Sequence, residues 1–144
     1  MNGMFFAWLG WTYFHRGNPK KAYDYLNIAL KIGEEIEDRQ IIAYTNTWLG
    51  LTCAELGLFD EGMNHAKIGQ KLSREIDLKY ETDYYTIHIS LNIEAYINFA
   101  LGKWQNVLES GEKILEFGLE YHCIRSEVTG YFYNGIAQLL TGQP

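Results

Sequence analysis

Trp8-Leu9-Gly10-Trp11-Thr12 returns as Trp48-Leu49-Gly50-Leu51-Thr52, four of five residues identical at an offset of 40. A period of this length is the mark of a stacked array of one supersecondary unit. Extended along the chain, the register places Gly10, Gly50, Ala95 and Gly135 at equivalent small positions, with spacings of 40, 45 and 40. Gly17, Gly57, Gly102 and Gly142 form a second series with the same spacings. Each member follows a helical apolar pattern, where a left-handed glycine closes a helix at least cost.

Each unit reads as two helices. In the first, Phe5, Phe6, Leu9 and Tyr13 recur at three- and four-residue steps before Gly17. Asn18 then offers an N-cap and Pro19 a first helical residue, followed by a stripe of Ala22, Tyr25, Leu26, Ala29, Leu30 and Ile36. The second unit repeats the scheme through Ile41, Tyr44, Trp48, Leu49 and Leu56, then Phe59, Met63, Ala66 and Leu72. Gly62 and Gly69 would weaken an exposed helix by up to about 1 kcal/mol each, so they are expected where two helices come too close for a side chain. A third unit runs through Ile89, Ile93, Tyr96 and Ile97, then Trp104, Val107, Leu108, Ile114 and Leu115, and a last helix follows alone. The expectation is one domain over 1–144, with units at about 4–38, 40–77 and 83–120 and a half-unit at 126–141. That makes three helix pairs and one extra helix, seven in all.

Composition agrees with a helical, globular chain: two prolines leave few forced helix breaks, and 47% apolar residues exclude disorder. A net charge of −6 disfavours a phosphate backbone as partner, so no nucleic acid is expected. The stretch up to His15 carries no charged side chain, but it is too short to span a membrane and lacks the positive start of a secretory signal. A cytoplasmic location is expected, with no membrane partner. Because the first helix starts almost at once, the chain also reads as a segment of a longer protein.

Candidate chemistry is sparse. Cys53 and Cys123 make no C-x-x-C pair, and His15, His65, His88 and His122 show no metal-site spacing. Zinc at His122 and Cys123 would need two further ligands from elsewhere. The acidic run Glu34, Glu35, Glu37 and Asp38 has no calcium-loop spacing and reads as a solvated face or inter-repeat loop, the helix either ending before Asp38 or finding compensation from Arg39. There is no nucleophile motif and no phosphate loop. An enzyme, a metal and a cofactor are therefore not expected.

These residues resemble the tetratricopeptide repeat (TPR) family, in a variant of about 40 residues per unit. Leu9, Gly10, Tyr13, Gly17, Ala22 and Ala29 stand at its marker positions in the first unit, and Leu49, Gly50, Cys53, Gly57, Gly62 and Gly69 in the second. Phe59 stands at its aromatic turn position. In the third unit Glu94, Asn98, Val107 and Ile114 depart from the pattern, while Ala95, Gly102 and Trp104 keep it. The resemblance implies an all-α, right-handed superhelical array of antiparallel helix pairs, and a protein-interaction scaffold of the kind that regulates or oligomerises larger bacterial signalling proteins. The other class weighed is a sensor of a small ligand or peptide signal.

By the same resemblance, first helices line a concave groove. Its inward positions would be Ala7, Trp11 and Phe14; Tyr44, Thr47 and Leu51; Asn92, Tyr96 and Phe99; and Phe132 and Ile136. The set is aromatic and nearly uncharged, which suits an apolar peptide or helix. Ala7, Trp11, Thr47 and Leu51 supply no charge for a carboxylate clamp of the family's chaperone-binding type. The last helix keeps an apolar face with Phe132, Ile136, Leu139 and Leu140, so either more repeats follow in a parent protein or two copies pair there.

Overall fold

The computed structural model describes residues 2–80 and 84–142, with the backbone alone at 77–80. All regular structure among them is α-helical, in seven helices: α1 (Gly3–His15), α2 (Pro19–Glu35), α3 (Arg39–Glu55), α4 (Phe59–Tyr80), α5 (Tyr85–Ala100), α6 (Trp104–Tyr121) and α7 (Ile124–Thr141). The last helix starts at Ile124, slightly ahead of the expected 126. The unit boundary expected at 83 lies outside the described residues. Two compact units divide the chain, Met1–Ser90 and Leu91–Pro144, with the boundary inside α5.

The glycine series closes α1, α3, α5 and α7 as its spacing predicts. Gly17, Gly57, Gly102 and Gly142 have φ of 72°, 76°, 67° and 68°, the left-handed region that a Cβ penalises. At the first, the amides of Gly17 and Asn18 donate to the carbonyls of Phe14 and Tyr13 at 2.9 and 3.0 Å. The same pair of bonds recurs from Gly57 and Leu58 to Ala54 and Cys53, and from Gly102 and Lys103 to Phe99 and Asn98. Each closure satisfies carbonyls that the helix end would otherwise leave open.

Glu37 closes α2 in the same way, at φ 54°, although it is not glycine. Its amide and that of Asp38 donate to Glu34 and Gly33, and Asp38 then becomes the N-cap of α3, accepting from Gln40 and Ile41 at 3.0 Å. The acidic run is thus split between two helix ends. Asp38 lies at the favourable, positive end of α3, and Arg39 pairs with Glu75 of α4.

In the first unit α3 packs against α1, α2 and α4, and it is buried on most of its circumference, from Ile41 through Ala54. Close approach rests on small residues. A Cβ at Gly10 would lie 2.5 Å from Leu26, and one at Gly62 would lie 2.9 Å from the carbonyl of Gly50. Gly62 and Gly69 both back onto α3, the close contact expected of them. The core centres on Ala22, Leu26, Trp48 and Leu49, with Tyr13, Leu30, Leu51 and Ile89 packed around them.

In the second unit α6 packs on α7, with Gly130 against the backbone of Leu115 and Gly118 against that of Glu127. Val107, Ile114, Phe117, Tyr133 and Ala137 are buried on these two helices, and Ile93, Ala95 and Ile97 of α5 are buried as well. The two polar departures of the third repeat find partners on α6. Glu94 pairs with Lys113 at 3.6 Å, and the side-chain amide of Asn98 donates to Ser110 at 3.4 Å.

Candidate functional site

Three of the residues expected in the groove meet around one indole. Trp11, Phe14 and Tyr44 place their rings 6.4, 5.7 and 6.2 Å from Trp48, and His15 adds a fourth at 5.5 Å. Trp48 is 2% exposed and serves as the floor, whereas Trp11 is 39% exposed and forms the rim. Burial beside Tyr85 pushes the Tyr44 phenol up to about 12, so it stays neutral and acts as a packing ring with a polar tip. Beside this cluster lies a recess of about 530 Å³ lined by Phe14, His15, Gly17, Pro19 and Glu55.

Other expected positions fall elsewhere. Ala7 and Thr47 are fully buried, and the Thr47 hydroxyl lies 3.1 Å from the Ala43 carbonyl and 2.8 Å from Ser90 Oγ. Thr47 therefore joins helices and presents nothing to a partner. Leu51 is half-buried against the Trp48 core.

Within the second unit Asn92, Tyr96 and Phe99 are half-buried on α5, and Phe99 packs edge-on against Trp104 at 5.6 Å. On α7, Phe132, Leu139 and Leu140 are exposed, Leu139 at 78%, and Ile136 is half-buried beside them. A Cβ added at Gly135 would meet nothing within 4 Å among the described residues, unlike one at its repeat equivalent Gly10. His122 and Cys123, weighed above as zinc ligands, form the connection into α7: His122 takes the left-handed conformation at φ 53° and Cys123 stands at the N-cap.

A polar cluster between α2, α3 and α4 escaped the sequence reading. Cys53 Sγ, a Glu61 carboxylate oxygen and a His65 ring nitrogen lie within 4.8 Å of one another. Asn46 Nδ2 donates to the Ile42 carbonyl at 2.9 Å, which turns Asn46 Oδ1 toward His65 Nδ1, 2.7 Å away. Tyr23 donates its hydroxyl proton to Glu61 Oε1 at 2.7 Å. Burial lowers the His65 pKa against the opposing pull of Glu61 and Glu34, and burial raises the Cys53 thiol to about 12. The only available signal in the sequence was spacing: Glu61 and His65 are one helical turn apart, and Asn46 and Cys53 two turns apart. Nothing in one dimension says that those two faces meet.

Fold and site together define an all-α protein, four of whose helices close on left-handed glycines and whose helices seat on one another through small residues. No family model, curated protein or solved structure matches the chain. No helix among the described residues is long and apolar enough to cross a membrane.

Proposed function

We propose that this chain is a protein-interaction scaffold of the tetratricopeptide type, its helices stacked as antiparallel pairs of a right-handed array and its partner an apolar protein segment. The observation that carries this reading is the repetition of one closure at Gly17, Gly57 and Gly102 together with an α7 face left uncovered at Gly135. In the first unit Gly10 is covered by Leu26 of α2, so the uncovered counterpart has the form of a seat for a helix. Phe132, Leu139 and Leu140 supply the apolar area around it, and a second copy presenting the same face is one such helix. The Trp48-centred ring cluster, with Trp11 at its rim, is a separate aromatic surface suited to anchoring a peptide side chain.

Selection from a displayed random-peptide library tests the scaffold reading. Apolar or aromatic peptides whose binding is lost in Trp11→Ala or Leu139→Asp support it. Failure to enrich any peptide, together with a monomeric mass at every concentration in light scattering, would sink it.

A further inference from the structure

We propose that Cys53, Glu61 and His65 form a binding site for a divalent metal ion of the zinc class, where the sequence alone led to no metal being expected. Sγ, carboxylate oxygen and ring nitrogen already converge within 4.8 Å of one another, and His65 Nε2 stands 3.7 Å from Glu61 Oε1. Tetrahedral zinc with bonds of about 2.0–2.3 Å separates its ligand atoms by roughly 3.3–3.6 Å. Small side-chain rotations therefore close the site while α3 and α4 stay in place.

The hydrogen bonds around the cluster fix which nitrogen of the ring is free to bind. Because Asn46 Nδ2 is committed to the Ile42 carbonyl, Asn46 Oδ1 faces the ring as an acceptor, and His65 Nδ1 must carry the proton. In the neutral ring Nε2 then bears a lone pair, and it lies 3.7 Å from Glu61 Oε1, the oxygen that accepts the Tyr23 hydroxyl proton. An imidazole nitrogen free to accept, a carboxylate and a thiol gathered in one place make a site for a cation. Asn46 behind His65, and Tyr23 behind Glu61, occupy the positions that orient ligands in metal sites.

Ligand chemistry selects the ion. Thiolate and imidazole favour zinc-like ions over calcium or magnesium, which take oxygen ligands. A thiolate and a carboxylate together balance a 2+ charge. On binding, the Cys53 S–H bond gives way to an S–metal bond and the proton leaves to solvent, with no change of oxidation state. Access runs from the surface: the Glu61 and His65 side chains are 40% and 14% exposed, while Cys53 closes the floor. These three protein ligands leave a fourth position for water or a partner's side chain.

The test is titration of the full chain with cobalt(II), an optical stand-in for zinc. We expect one equivalent to bind with a thiolate-to-cobalt charge-transfer band, displaced by zinc, absent in Cys53→Ser and retained in Cys123→Ser. Glu61→Gln, at the half-exposed rim, keeps the fold and weakens binding at least about tenfold, and Tyr23→Phe weakens it by a similar factor. Absence of the band in the native chain overturns the proposal, as does a band of unchanged affinity in Glu61→Gln. If Cys53→Ser fails to fold, the Glu61→Gln and Cys123→Ser titrations still decide the matter.

Discussion

Gly69 of α4 backs directly onto Thr47 of α3, so closely that a Cβ at Gly69 would lie 2.9 Å from the Thr47 amide nitrogen. Backbone atoms of a packed helix cannot step aside, so Gly69→Ala must push α4 off α3. The expected loss is about 1–3 kcal/mol, read from urea unfolding. Gly135→Ala should do the opposite, because its Cβ meets nothing within 4 Å among the described residues and alanine is the better helix former by up to about 1 kcal/mol. A partner or second copy seated on α7 would feel that methyl group, so the same variant should unfold later yet associate more weakly.

Glu37 and Gly57 close α2 and α3 in the same left-handed conformation with opposite economy. Glu37→Gly relieves Cβ strain and should stabilise the chain by about 0.5–1 kcal/mol, while Gly57→Ala introduces it and should cost about 1 kcal/mol. Thermal unfolding of the two variants side by side checks both signs. Equal shifts in the same direction would contradict the assigned closure.

Asp38 accepts two amide protons at the start of α3. Asp38→Ala should therefore cost about 1 kcal/mol. Arg39→Ala removes an ion pair between largely exposed side chains and should cost less than that. Chemical denaturation that ranks them the other way would show that the pair, not the cap, holds this junction.

Tyr44 carries a raised pKa in the folded chain, about 12 against an ordinary value of 10, because burial disfavours the phenolate. Its neutral form contributes stability in full below pH 10, and that contribution is lost as pH rises from 10 toward 12. Tyr44→Phe should flatten this alkaline fall in melting temperature. A fall of the same steepness in the variant would assign it to other groups.

Trp48 and Trp11 touch, yet they should answer truncation differently. Trp48→Ala empties a core position and is expected to cost about 3–5 kcal/mol. Trp11→Ala, at the exposed rim, should leave the helical circular dichroism intact and report on binding. Loss of fold in both variants would make the rim residue part of the core.

Much of the fold was legible because its determinants are local. Gly17, Gly57 and Gly102 announce helix ends through backbone sterics alone, Asn18-Pro19 announces a start, and the apolar steps between them give seven helices. Even Gly62 and Gly69, costly inside a helix, betrayed a close neighbour. A helix end ahead of Asp38 was one of two readings of the acidic run, but the left-handed closure at Glu37 and the cap that Asp38 supplies to α3 were not visible, since a charge run does not say which residue ends one helix and which begins the next.

What the sequence determined by itself was therefore the helical elements, their glycine closures and the small residues on which they seat, since each depends on dihedral preference and periodicity within a few residues. What only the tertiary structure decided was which side chains meet. Thr47 proved to be core because Gly69 and Ser90 come against it, Trp11 stayed at a rim because Trp48 took the floor, and Asn46, Cys53, Glu61 and His65 came together because α3 and α4 pack face to face. Those contacts join residues distant in sequence, and packing between helices, not propensity within them, chooses their partners.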